Sequence, residues 1–228
     1  MNKKALFEKL CYDVQVCSVC SEIYFSPHLI TSDHFIHERT VENINYVNKW
    51  NLVQGSLDAE IMVIGQDYGV ADTNYFTTDK SLKKLFLEVF ETDIEKTDER
   101  LFFTNIANCY RSSSSTGSLN KGCLALCANK FMSRLINIIR PKIIIVLGLD
   151  AFQALACCDN AKLICKNPGA EKDNKFGTII KYDYKLITAD KEIAVFPVYH
   201  PGSNGQRNRK YAQQVLDWTR IKEYYINL

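Results

Sequence analysis

The chain has 228 residues, of which 46% are hydrophobic and 24% charged, with a formal net charge of +2 and nine cysteines. That length and composition suit a globular protein with one large or two small domains, and exclude a disordered or fibrous chain. The charge argues neither for nor against a polyanionic partner, so affinity for nucleic acid would need a local basic patch.

The opening "NKKALFEKL" is charged and amphipathic, unlike the apolar core of a secretory signal. The longest clean apolar run, "IIIVL" at 143–147, is far short of the roughly 20 residues that span a bilayer. A cytoplasmic protein with no membrane partner is expected. After the N-terminal helix, residues 21–58 carry three of the four histidines, are rich in aromatic and polar residues, and show no sustained period. They read as an irregular insertion or lid. This divides the chain into an N-terminal extension, 1–58, packed on a core domain, 59–228.

From residue 60 onward four buried strands are predicted, Glu60–Gly65, Leu101–Ile106, Lys142–Leu147 and Ile193–Val198. Helical patterns separate them. "SLKKLFLEVF" (81–90) places Leu82, Leu85, Phe86 and Val89 on one face, and "CANKFMSRLINII" (127–139) and "LDAFQALA" (149–156) repeat the period. "RSSSSTGS" (111–118) is a loop by composition, and "RKYAQQVLDWTRIKEYY" (209–225) forms a long closing helix. Alternation of strand and helix predicts an α/β protein: a three-layer α/β/α sandwich with a central, mainly parallel four-stranded sheet.

In such a sheet the strand C-termini share one edge, where ligands bind. Asp67 follows the first strand, Asn105 ends the second, Gly148 follows the third, and "YHPGSNGQRNRK" (199–210) follows the fourth. A carboxylate, an amide and the His200 imidazole are thus expected at one crevice. Without a secretory signal, nine cysteines point to reduced thiols or a metal site rather than disulfides. Cys17, Cys20, Cys109, Cys123 and Cys127 fall in two clusters; Cys157, Cys158 and Cys165 read as core or surface thiols.

"GQDYG" after the first strand, "TNIANC" after the second, "RPKIIIVLG" as the third and "HPG" after the fourth resemble the uracil-DNA glycosylase superfamily over roughly residues 59–215. With "CSVC", "NCYR" and "LALCANKF", the cysteines resemble its iron–sulfur branch, family four. The resemblance implies a monofunctional DNA glycosylase that hydrolyses the N-glycosidic bond of uracil or a related deaminated base, as a monomer acting on damaged DNA. It implies a [4Fe-4S] cluster on Cys17, Cys20, Cys109 and Cys127. Zinc is the alternative metal, and Cys123 or a histidine of the 28–37 region is a rival fourth ligand.

Breaking an N-glycosidic bond makes the sugar cation-like and the departing base anionic, so the reaction wants negative charge near the sugar and donors at the base. Asp67 suits the first task and the orienting of water; His200 suits the second. Asn105 pairs a donor and an acceptor, matching O4 and N3–H of uracil. The resemblance adds Gln66 to the catalytic set, Gly65 and Tyr68 to the base pocket, and Phe76 as an aromatic stacked on the extruded base. Ser203, Gln206, Arg207 and Arg209 form the best local patch for DNA phosphates.

The chain also departs from the family. Most relatives have a proline near Tyr68, and the iron–sulfur branch usually has a glutamate where Gln66 stands. The loop after His200 lacks an apolar wedge. Two rival readings remain: a catalytically silent nucleic-acid or nucleotide-binding protein on the same fold, and a thiol redox or zinc protein.

Overall fold

The computed structural model describes residues 2–17, 19, 28–30, 46–47, 54–67, 77–94, 98–111, 120–167 and 175–228. The fold is built on four parallel strands whose side chains are almost all buried. These are β4 (Ile61–Gly65), β5 (Leu101–Asn105), β7 (Ile143–Leu147) and β10 (Glu192–Val198). Strands covered on both faces read as unbroken apolar runs, which is why all four are plain in the sequence.

Their register aligns the C-terminal ends. Gly65 lies opposite Asn105, Ile64 opposite Val146, and Leu147 opposite Val198. The strand order β5–β4–β7–β10 reverses direction between β4 and β7, the point at which open α/β sheets form a crevice.

Among the described residues the sheet has eight strands rather than four. The order is β2–β3–β5–β4–β7–β10–β9–β8, with β2 (Tyr46–Val47), β3 (Gln54–Ser56), β8 (Lys162–Cys165) and β9 (Tyr184–Ile187) added antiparallel at the two edges. A separate antiparallel pair joins β1 (His28–Ile30) to β6 (Cys109–Arg111). Three of these short strands fall within residues 21–58, the segment that shows no period. Strands of two or three residues are too short to leave one.

Helices cover both faces, giving the three layers. On one side lie α1 (Lys3–Gln15), the continuous helix α3 (Lys121–Ile139) and α4 (Leu149–Leu155). Met62, Ile64, Phe102, Ile144, Val146 and Val195 point toward them. Phe7, Leu10 and Cys11 of α1 are fully buried in this core, so the N-terminal helix is part of it. Although α3 is long and apolar enough to cross a membrane, 61% of it is buried inside the fold, as befits a core helix.

On the other side lie α2 (Thr77–Leu85), which runs on as a π-helical turn (Phe86–Phe90), and α7 (Tyr211–Ile226). The alternate residues Ile61, Val63, Leu101, Ile143, Ile145 and Phe196 face this layer. Trp218 of α7 is fully buried and meets Phe86 edge-on at 5.1 Å and Phe90 at 6.3 Å between ring centroids. The short helices α5 (Phe176–Ile179) and α6 (Ser203–Asn208) complete the chain.

Candidate active site

The aligned ends of β4, β5 and β10 bring three polar side chains to one edge. Asn105 ends β5, and its side chain lies across the end of β4. A Cβ placed on Gly65 would sit 2.1 Å from Asn105 Oδ1, so only glycine leaves room for this amide. The backbone locks the crossing in place, because Ile106 N–H donates to the Gly65 carbonyl at 2.9 Å and Ala107 N–H to the Gln66 carbonyl at 3.0 Å. Asp67 follows two residues after Gly65, at the same edge, where its charge acts on the His200 imidazole. Gln66 Nε2 is buried and has no hydrogen-bond partner among the described residues. A buried donor left unpaired costs roughly 1–3 kcal/mol, so this group is poised for an acceptor.

His200 follows β10 and faces the same edge from the other side of the switch point. A Cβ on Gly148, which follows β7, would lie 3.8 Å from His200 Cβ. The Gly202 backbone N–H donates to His200 Nδ1 at 3.1 Å. That bond makes Nδ1 the acceptor and assigns the proton of the neutral ring to Nε2.

Burial pushes the imidazole below its ordinary value of 6.5, while the Asp67 charge pulls the other way. The ring is therefore neutral at neutral pH, and a second proton would have to enter at the nitrogen that already faces the Gly202 N–H. Stability linked to this group is present above pH 6.5. It is lost as pH falls below that value, because the unfolded chain takes up the proton first.

A family model, the uracil DNA glycosylase superfamily, matches residues 52–220, from β3 to α7. The chain belongs to the uracil DNA glycosylase superfamily. A search among curated proteins gives no match. The match begins at β3, inside the segment read from sequence as an extension.

Elsewhere in this superfamily member the expected site residues divide. Tyr68, Phe76 and Cys20 lie outside the described residues. Ser203 and Arg207 are exposed on α6, at the edge that carries His200. Arg209 instead makes two hydrogen bonds to Asp217 of α7, Nε to Oδ2 at 2.8 Å and Nη2 to Oδ1 at 2.6 Å. Its guanidinium is engaged in fastening the approach to α7. Gln206 is also engaged, through its amide nitrogen, with Ser81 and Pro201.

Of the four thiols, Cys17 and Cys127 line one cavity of about 240 Å³ between the end of α1 and α3. Lys130 Nζ, on the same wall, donates to Cys17 Sγ at 3.5 Å. Cys109 lies in β6, opposite Ile30. Cys123 is buried one turn before Cys127 and is not among the lining residues of that cavity. Among the described residues no group of three or more metal-ligating side chains comes together. Asp67, Asn105 and His200 thus lie at the sheet edge where the sequence predicts them. The sequence does not reveal that Gly65 leaves room for the Asn105 amide or that the Gly202 N–H fixes the histidine tautomer, since neither contact leaves a pattern in the chain.

Proposed function

We propose that the protein is a monofunctional DNA glycosylase that hydrolyses the N-glycosidic bond of uracil, or of a related deaminated base, in DNA. The observation that carries this reading is one sheet edge with the Asn105 amide crossing Gly65, Asp67 two residues beyond that glycine, and a His200 imidazole on which the Asp67 charge acts.

In this reading the flipped base enters the crevice with its O4 and N3–H edge on Asn105. Cytosine presents the reversed pattern and would leave buried groups unpaired, a mismatch that can cost about 10⁴–10⁵ in selectivity. His200 donates from Nε2–H to the base oxygen that gains charge as the bond lengthens. It does so as a neutral donor, the form that burial and the Gly202 N–H favour. Asp67 stabilises the cation-like sugar and orients the attacking water. No lysine stands at the motif positions, so water is the nucleophile rather than a Schiff-base amine. Ser203 and Arg207, exposed on α6, are the residues proposed to meet the DNA backbone.

The proposal extends to a [4Fe-4S] cluster held by Cys17, Cys20, Cys109 and Cys127. Two of these thiols share one cavity, and thiolates are the soft donors that such clusters take. When bound, the group would supply a structural tie, and it enters no step of the bond cleavage. Iron and acid-labile sulfide are expected in the purified protein. Cys127→Ser should lose iron and Cys123→Ser should keep it. Equal iron in both variants, or zinc in place of iron, contradicts this assignment.

The function itself is tested by incubating the protein with oligonucleotides carrying uracil, hypoxanthine or xanthine and cleaving abasic sites with alkali. Uracil-dependent strand scission is the expected result. Binding without an abasic product on every base favours a silent binding protein.

A further inference from the structure

The turn that carries His200 is held by Gln206, the fourth residue of α6. Gln206 Nε2 donates to the Pro201 carbonyl at 2.8 Å and to Ser81 Oγ, on α2, at 3.0 Å. The Gln206 backbone N–H donates to the Gly202 carbonyl at 3.0 Å. One residue thus grips both positions that follow His200 and joins them to a neighbouring helix. Gly205, just before it, has no room for a side chain: a Cβ there would lie 1.7 Å from the His200 carbonyl oxygen. The short helix α6 therefore rests directly on the backbone of the histidine. Gly202 is packed against α2 as well, since a Cβ on it would lie 3.0 Å from Thr78 Oγ1.

We propose that Gln206 is a positioning residue for His200, tying the Pro201–Gly202 turn to Ser81 so that the Gly202 N–H stays on Nδ1 and Nε2–H points into the crevice. The physical argument is one of orientation. An imidazole on a loop can rotate or exchange tautomers, and a donor displaced by about 1 Å can cost on the order of 10²-fold in rate. Two side-chain hydrogen bonds from one amide, to a carbonyl and to a hydroxyl on separate elements, remove that freedom. The charged group acting on the ring among the described residues is Asp67, after β4, and the Gln206 contacts leave it untouched.

The inference rests on reading His200 as the donor to the base, so the test has a readout that needs no activity. Gln206→Leu keeps the bulk and removes both side-chain bonds; Ser81→Ala removes one. With ¹⁵N-labelled histidine, the Gln206→Leu protein is expected to lose its fixed Nε2–H tautomer and to titrate His200 closer to 6.5 than the wild type does. Its single-turnover cleavage rate should drop on the order of tenfold, with substrate affinity unchanged. Ser81→Ala should shift both in the same direction by less, and it carries the test should Gln206→Leu fail to fold. A His200 tautomer and titration identical to wild type in the folded variants overturns the proposal. Loss of cleavage with an unmoved His200 signal overturns it too. Should the wild type cleave nothing, the NMR comparison still decides the positioning claim while the glycosylase reading falls.

Discussion

Replacing Asp67 with asparagine is expected to abolish most cleavage of uracil-containing DNA while leaving binding intact. The amide has the shape of the carboxylate but not its charge. A unit charge about 4 Å from a developing cation, at an effective dielectric near 20, contributes about 4 kcal/mol. That corresponds to roughly 10³-fold in rate, in keeping with the ~10²–10⁴-fold typical of a removed general base. The substrate carries no positive charge in its ground state, so the Kd for uracil DNA should change little. A second readout comes from His200. The Asp67 charge holds its imidazole up against the effect of burial, so the variant should titrate that ring lower still. Turnover equal to wild type would end the assignment of Asp67.

The Gly65→Ala variant should fold normally and fail chemically. The new methyl would collide with Asn105 Oδ1, the far end of a side chain that can swing away at little cost to the fold. Swinging away removes the amide from the place where it would read the base. A misplacement of this size costs on the order of 10²-fold. The variant should therefore show wild-type thermal unfolding with a drop of about that size in single-turnover cleavage. Adding Gly65→Ala to Asn105→Ala should cost nothing further, because the methyl then has no amide to displace. Additive losses in the double variant would show that Gly65 matters for some other reason.

How far the sequence could be read follows from what kind of contact made each feature. The four parallel strands were legible to within a residue or so at each end, because burial on both faces leaves an apolar run whatever the neighbours are. The edge strands Lys162–Cys165 and Tyr184–Ile187 were not, since each has only four residues, the first alternating between exposure and partial burial and the second burying only Leu186. The helix read as 127–139 begins at Lys121, capped by the Asn120 side chain; Gly122 and the serine-rich tract before it hide the first turns. "SNGQRN" reads as loop and is a short helix, because two of its residues serve contacts with the His200 turn rather than an apolar face. Asp67, Asn105 and His200 could be placed at one edge from topology alone. Arg209 looked like a phosphate ligand by composition, and only the fold places Asp217 within reach of its guanidinium.

The central claim is that a neutral His200, with its proton on Nε2, faces a base held at the end of β4 and β5. Titrating uracil into protein labelled with ¹⁵N-histidine measures this most directly. The account predicts an unprotonated Nδ1, a protonated Nε2 at neutral pH with titration below 6.5, and an Nε2 resonance that moves with uracil but not with cytosine. A His200 that is charged at neutral pH, or whose resonances ignore saturating uracil, would contradict it.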